Sequence, residues 1–501
     1  MCGIFAMTSH IDKSVMNEVL DSMKHRGPDE GKEVPLEKFH LGHQRLSIIG
    51  LEDGIQPIHN QDESKWIVCN GEIYNYPNLK QKLEASDVSF LTESDSESAL
   101  KIYEKYGVEG IKQLDGMFAF FIADEKNNTF VAARDTLGIK PLYYGIDTEG
   151  NYIFSSELKT LYLVTKDVHE FPAGHYYTPE IGFVCYRRIE SPSITEEKNE
   201  DAYTSMIHEQ LTNAVEKRLL ADVEVGVLLS GGLDSSLIAA IAAKLNKSDK
   251  PVKSFCVGSE GSVDLKRARD VAEAIGTEHY EYVYTPDELI EAIPKVIYAL
   301  ESYEPSLVRS ALPNYFVSKL ASQHVKVILS GEGADELFAG YDYMKKFDTT
   351  EKLNDEIIRV INTLHNINLQ RADRMSMAHS LELRVPFLDL DLIQDALEIP
   401  ANLKLHTEEQ MEKTILRKSF NNMLPEHVLW RKKEEFSEGS GALDILENYA
   451  NEHITDREFK QLQSEASIDL RSKQEALYFK YFKEYYPDQS IFDTIGKWAT
   501  A

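Results

Sequence analysis

Ser230-Gly231-Gly232-Leu233-Asp234-Ser235-Ser236 is the stretch whose reading decides the fold of the second half of this 501-residue chain. Before it, Val223, Val225, Val227, Leu228 and Leu229 form an apolar run that reads as a buried strand. After it, the Ala-rich segment Leu237 to Leu245 reads as a helix. The loop therefore joins a strand end to a helix start. Two glycines let the backbone turn tightly and aim several N–H groups at an anion, and the helix N-terminus adds partial positive charge. The hydroxyls of Ser230, Ser235 and Ser236 are further donors, and Asp234 is a hard oxygen ligand suited to Mg²⁺. The Gly-Lys-Ser/Thr of a Walker loop is absent. Taken alone, the same residues also suit a polar turn capped by Asp and Ser.

A second strand-loop-helix unit repeats the pattern. Val325, Val327, Ile328 and Leu329 lead into Ser330-Gly331-Glu332-Gly333-Ala334-Asp335-Glu336. Asp335 offers a second carboxylate for a metal, and Glu332 stands where an acid or base can meet a reacting group. Between the two units, Ser254 to Gly258 ends another short apolar strand. Strands alternating with helices predict a parallel sheet covered on both faces, with ligands bound at the strand C-termini. The 230–236 stretch resembles the pyrophosphate loop of AMP-forming ATP pyrophosphatases. That resemblance implies ATP cleaved at its α-phosphate.

At the other end, Cys2 follows the initiator methionine directly. Removal of Met1 would put a thiol and a free α-amine on one residue. The thiolate is the nucleophile, and an α-amine with an ordinary pKa of about 7.7–8.0 can serve as its base. The surrounding segments are Cys2-Gly3-Ile4-Phe5, His25-Arg26-Gly27-Pro28-Asp29, Arg45-Leu46-Ser47-Ile48-Ile49, Asn70-Gly71-Glu72-Ile73-Tyr74-Asn75 and Ser94-Asp95. In this order the set resembles the glutaminase domain of class II amidotransferases, which use an N-terminal cysteine. The resemblance implies that Arg45 clamps the glutamine carboxylate, with Leu46, Ser47, Ile48 and Ile49 beside it. It also implies that Asp95 and Glu72 hold the ammonium end, and that the Asn70 amide and Gly71 N–H face the oxyanion. Individually, Asn70-Gly71 is also an ordinary hairpin turn and Arg45 an ordinary strand cation.

Composition agrees with two catalytic units in one chain. With 42% hydrophobic residues there is material for two independent cores. The N-terminal part is strand-rich, with apolar runs at 66–69, 117–123, 129–133, 152–154 and 176–177. The polar span Glu190 to Glu200 lacks apolar periodicity and reads as a linker. The expected division is residues 1–190, a linker at 191–202, and residues 203–501, mostly helical after about 350. The net charge of −29 argues against general binding to nucleic acid or an anionic membrane. Anionic substrates then need locally gathered cations, for which Arg309, Lys413, Arg417, Arg431, Lys432 and Lys433 are the candidates. No run of 18 apolar residues occurs, and four scattered cysteines show no metal spacing, so a soluble cytoplasmic protein with reduced thiols is expected.

Together the halves resemble the glutamine-hydrolysing asparagine synthetases over roughly residues 2 to 440. Leu369 to Ala378, Glu382 to Asp389, Met411-Glu412-Lys413 and Arg431 to Ser437 add to the match. The resemblance implies an N-terminal nucleophile αββα glutaminase domain followed by a doubly wound α/β ATP-pyrophosphatase domain with a helical C-terminal part. It assigns Leu229, Ser230, Gly231, Gly232, Leu233, Asp234, Ser235, Val257, Ser330 and Gly331 to ATP, and Asp234 and Asp335 to Mg²⁺. Glu332, Arg309 and Lys433 go to adenylation and amination of the acceptor, and a homodimer is implied by analogy. Relatives commonly show Thr-Thr-Ile-Arg where this chain has Ser306-Leu307-Val308-Arg309, and Ala6 replaces a usual glycine. Leu307 cannot donate a hydrogen bond. That leaves aspartate and another carboxylic acid both open as acceptor, beside a non-catalytic scaffold, against which the retained nucleophile and loops argue. Past residue 440 the sequence is uninformative.

Overall fold

The computed structural model describes residues 2–192, 198–407, 410–432, 439–465 and 469–497. Its first half contains two six-stranded antiparallel sheets. One runs in the order His169–Glu170, Tyr143–Ile146, Tyr152–Ser155, Cys2–Met7, His40–Arg45, Glu30–Pro35. The other runs Gly182–Cys185, His175–Thr178, Thr129–Arg134, Gly116–Asp124, Lys65–Ile73, Ile58–His59. Side chains alternate across a strand, and Gly116–Asp124 uses both of its faces. Ala119, Phe121 and Ala123 pack with Ile4, Ala6, Leu41 and Phe154 between the two sheets. Phe118, Phe120 and Ile122 point the other way, onto Leu79, Leu83 and Leu100 of the helices Tyr76–Glu84 and Asp95–Tyr106. On the opposite outer face, Met16, Val19 and Met23 of helix Lys13–Met23 pack with Phe5. The layers are helix, sheet, sheet, helix, as the resemblance implied.

The second half is built on five parallel strands in the order Glu278–Val283, Lys253–Gly258, Val225–Leu228, Val327–Leu329, Glu382–Arg384. The chain winds outward in one direction from Val225–Leu228 and then restarts at its other neighbour, Val327–Leu329. The winding reverses between these two strands, where doubly wound sheets open a ligand crevice. Both loops read from the sequence leave from this point.

Three features depart from the sequence reading. Helix Glu200–Arg218, capped by Asn199 accepting from the Ala202 amide, begins inside the span read as linker. The region after 350, mostly helical as read, also supplies the strand Glu382–Arg384, which completes the parallel sheet and was not read. The two cores are not independent. One apolar cluster runs from Phe5, Met117 and Tyr143 through Val227, Val308 and Met375, because the halves meet over a buried face. Among the described residues no helix is long and apolar enough to cross a membrane.

Candidate active sites

Cys2 begins the central strand of its sheet, paired in register with Arg45, and only 7% of it is exposed. Its main-chain N–H donates to Oδ1 of Asn70 at 3.0 Å. Asn70 is fully buried, and among the described residues its Nδ2 finds no partner. An orphaned buried donor is costly, and this one sits on the residue that holds the Cys2 amide, so it can donate to an oxygen brought beside Cys2. Gly71 follows with φ of +147°, and a Cβ there would lie 2.0 Å from the Met117 carbonyl oxygen, so only glycine fits. Burial pushes the Cys2 thiol above its ordinary value. Met1 lies outside the described residues.

The sequence-derived glutamine residues gather around this point. The Arg45 guanidinium donates to the carbonyls of Gly50 (2.6 Å) and Leu51 (3.3 Å), which orient it. Leu46, Ile48 and Ile49 are buried against Val327, Met377 and Val225 of the other half. The Ser47 amide donates to Asp29, which Lys326 Nζ also reaches at 2.7 Å. Asp95 sits in the first turn of its helix, accepts from the Ile73 amide at 2.7 Å, and is raised by burial to about 6. Burial, with Glu382 nearby, holds Glu72 well above the usual carboxylate range. Glu382 and Arg384 come from the edge strand of the parallel sheet, and Arg384 Nη2 lies 3.5 Å from Glu72 Oε2.

The second centre is a cavity of about 650 Å³ between the two loops. Leu229, Ser230, Gly232, Leu233, Asp234, Ser235, Val257, Ser330 and Gly331 line it. Gly231 stands behind the wall with φ of +71°, against the Arg267 backbone. Ser230 Oγ lies 3.2 Å from Ser235 Oγ and accepts from the Gly232 amide. A Cβ on Gly331 would come within 3.0 Å of Asp234 Cβ and the Ser235 amide, so the two loops are in contact.

Lys413 Nζ lies 2.6 Å from Asp234 Oδ2 and 2.7 Å from Asp335 Oδ1. The two carboxylates therefore converge on one cation. Lys413 adopts φ of +56°, and its arm crosses Gly340, where a Cβ would be 2.5 Å from Lys413 Cε. Two converging carboxylates beside an anion cradle fit Mg²⁺ in the manner usual for phosphate substrates, where few ligands come from protein. No group of three or more His, Cys, Asp or Glu among the described residues forms a closed metal cage.

Glu332 pairs with Arg371 at 2.5 Å and is raised by burial. Arg309 donates to Ser306 Oγ at 3.2 Å and to Gln474 Oε1 at 2.9 Å. Leu307 is on the cavity wall, and its amide caps the helix start by donating to Glu304. Arg417, Arg431 and Lys432 also line the cavity, and Arg417 is engaged by Glu412 and the Leu429 carbonyl. Lys433 lies outside the described residues.

Comparison with known proteins gives a family for each half. Residues 1–183 match the glutamine amidotransferase domain family, and residues 206–350 and 344–489 match the asparagine synthase family. The chain is 38% identical to the probable glutamine-hydrolyzing asparagine synthetase of Dictyostelium discoideum, over 99% of this chain and 96% of that protein. It is 38% identical to glutamine-hydrolyzing asparagine synthetase 2 of Arabidopsis thaliana, over 99% of this chain and 89% of that protein. This chain belongs to the asparagine synthase family.

In this asparagine synthase family chain, several residues at the two centres escaped the sequence reading. Gln474 belongs to helix Lys473–Tyr485 in the tail, yet it holds Arg309, and no local motif marks it. Arg26 is fully buried and donates from Nε to the Cys2 carbonyl at 2.9 Å, while Nη1 meets Glu157 (2.8 Å) and Asp373 (2.9 Å). Asp373 shares helix Asn368–Met377 with Arg371, so one helix touches the surroundings of both centres. Arg26 and Asp373 lie inside short family motifs, but their pairing across 347 residues is visible only in the fold.

Proposed function

We propose that this chain is a glutamine-dependent asparagine synthetase that makes asparagine, glutamate, AMP and pyrophosphate from glutamine, aspartate and ATP. The observation that carries the reading is the helix Asn368–Met377, which connects a buried N-terminal cysteine with its oxyanion donors to an α/β crevice with a phosphate cradle. A nitrogen-releasing site and a nitrogen-accepting site in fixed relation suit transfer without loss to water.

After removal of Met1, the Cys2 amine, positioned by Asn70 Oδ1, takes the thiol proton. The Cys2 sulfur then attacks the glutamine amide carbon. Asn70 Nδ2 and the Gly71 N–H stabilise the oxyanion, and the C–N bond breaks as the amine returns the proton to departing ammonia. Water hydrolyses the thioester to glutamate. Arg45 clamps the substrate carboxylate, and Asp95 with Glu72 receives its ammonium. In the crevice, a side-chain carboxylate oxygen of aspartate attacks the α-phosphate of ATP, giving β-aspartyl-AMP and pyrophosphate. Residues 229–235, Val257, Ser330 and Gly331 hold the nucleotide. Asp234 and Asp335 would hold Mg²⁺, which would neutralise charge on the leaving pyrophosphate. Glu332, Arg309 and Lys433 serve adenylation and the attack of ammonia that expels AMP. Ammonia in bulk water at neutral pH is mostly protonated and non-nucleophilic, so a shielded passage between the halves belongs to this reading. The chain works in the cytoplasm, as a homodimer by analogy with its family.

Mass spectrometry of products from glutamine, aspartate and Mg-ATP tests this reading. Asparagine, glutamate, AMP and pyrophosphate are expected, and recovery of ADP with orthophosphate would refute it. Leu307 on the cavity wall favours one second reading, a different carboxylic acid as acceptor. ATP–pyrophosphate exchange across a panel of acids separates the two, with aspartate required to be the best.

A further inference from the structure

The crevice presents more carboxylates than a phosphate substrate alone would favour, and their partners differ in kind. Asp234 and Asp335 share Lys413, Glu332 has Arg371, and Glu412 has Arg417. Glu336 differs from these. It is 2% exposed and on the cavity wall, and its side-chain donors are neutral: Tyr341 Oη at 2.7 Å and Asn368 Nδ2 at 3.2 Å. Both act on Oε1, which leaves Oε2 without a side-chain donor among the described residues. Taking a carboxylate out of water without a cation is costly, and the cost is recovered when a cationic ligand arrives. On the same wall Arg309 is the mirror case, a guanidinium whose partners, Ser306 and Gln474, are both neutral. A wall that sets a carboxylate with neutral donors beside a guanidinium with neutral acceptors is complementary to a zwitterion.

We propose that Glu336, oriented by Tyr341 and Asn368, binds the α-ammonium of the acceptor amino acid and so selects an α-amino dicarboxylic acid over a dicarboxylic acid that lacks the amine. The inference rests on the acceptor reading given above and names the group that enforces it. A buried site built to meet a charged donor rejects the analogue without it, because the site's own charge is then left unpaired. Oε1 is already committed to two donors that fix the carboxylate plane, so Oε2 is pre-set for the ligand. Neutral orienting groups are what such a reader needs, since a lysine or arginine in their place would compete with the substrate.

The test is ATP–pyrophosphate exchange by the full-length protein with aspartate and, separately, with succinate, which has the same carbon skeleton and no ammonium. The wild type is expected to prefer aspartate strongly. In Glu336→Gln the KM for aspartate should rise about 10- to 100-fold, the range for loss of one charged hydrogen bond. The KM for Mg-ATP and glutaminase turnover at Cys2 should stay within about twofold, and the preference over succinate should collapse. A merely structural or metal-binding role would move both acids, or Mg-ATP, together, and that result overturns the inference. If Glu336→Gln fails to fold, Tyr341→Phe supplies the same readout: a rise in the aspartate KM alone supports the inference, and an equal shift for both acids refutes it. If the wild type activates neither acid, the acceptor reading itself falls and takes this inference with it. If the wild type prefers aspartate and Glu336→Gln keeps that preference, only the assignment of Glu336 falls.

Discussion

Asp373 Oδ2 lies 2.9 Å from Arg26 Nη1, and the same guanidinium donates from Nε to the Cys2 carbonyl. Arg26 and Asp373 are both buried, and Glu157 completes the contact at 2.8 Å. Arg374 on the same helix pairs with Glu301 at 2.9 Å, and Lys159 reaches both Glu157 and Glu301. The face between the halves is therefore a desolvated charge network. Such networks add little net stability relative to apolar packing, but they penalise any arrangement that separates one partner. The Cys2 backbone is thereby fixed relative to the helix that carries Arg371 to Glu332.

Asp373→Ala should accordingly be far more damaging than an ordinary surface change. It leaves the Arg26 charge buried with one carboxylate fewer, and loss of a partner from a buried pair costs about 3–5 kcal/mol. Chemical denaturation should register that loss. Glutamine-dependent synthesis should fall more than synthesis supplied with ammonia, because the displaced group is the one holding Cys2. Equal loss of both activities in folded protein would argue against the coupling.

Cys2→Ala should abolish glutamine-dependent synthesis and leave ammonia-dependent synthesis intact. The change removes only sulfur from a strand residue whose main-chain bond to Asn70 persists. Steady-state assays with glutamine and with ammonium chloride check this. Intact mass of the active enzyme should show a chain starting at Cys2, since a retained methionine would acylate the base.

The strands and loops of the parallel sheet were legible because each is an apolar run ended by glycines and acids, and the run type does not depend on distant contacts. The residues proposed for the glutaminase site stand out in the sequence because they cluster in short motifs. Less legible was Glu382–Arg384: three residues give no periodicity, and their strand character comes from pairing with Val327–Leu329. Gln474 was invisible for a related reason, since its partner Arg309 lies 165 residues away and nothing near it marks a site. Lys413 stood among six candidate cations. What singles it out is tertiary: the left-handed backbone, the bare Cα of Gly340 beneath its arm, and the two carboxylates at its tip.

The KM for glutamine should depend on pH through Asp95. Burial raises its carboxyl to about 6, so below that pH it is increasingly protonated and cannot pair with the substrate's ammonium. The KM should therefore rise as pH falls from about 7 to 5, with the protonated form binding poorly and the ionised form binding well. In Asp95→Asn the KM should be high and should lose this inflection near pH 6. Glutaminase assays across that range, on both proteins, check it. A wild-type profile that is flat through pH 6 would remove Asp95 from the ammonium site.

Gln474→Ala tests whether the tail serves the crevice. Among the described residues the Gln474 carbonyl is one of two groups that accept hydrogen bonds from the Arg309 guanidinium, the other being the Ser306 hydroxyl at 3.2 Å. Removing it frees a long side chain to sample several rotamers, and a lost hydrogen bond to a charged group is worth about 1.5–3 kcal/mol. Part of this should appear as a five- to thirtyfold fall in kcat/KM for the acceptor acid, with the glutaminase reaction unchanged about Cys2. Helix Lys473–Tyr485 should stay in place, since Leu477, Phe479 and Phe482 are buried in the shared core and do not depend on Gln474. A Gln474→Glu variant sharpens the comparison. It keeps the contact but neutralises the cation that an anionic substrate needs, so it should be worse than alanine for the acceptor while thermal unfolding is no worse. If Gln474→Ala instead lowers both activities in parallel with stability, the tail acts only as packing.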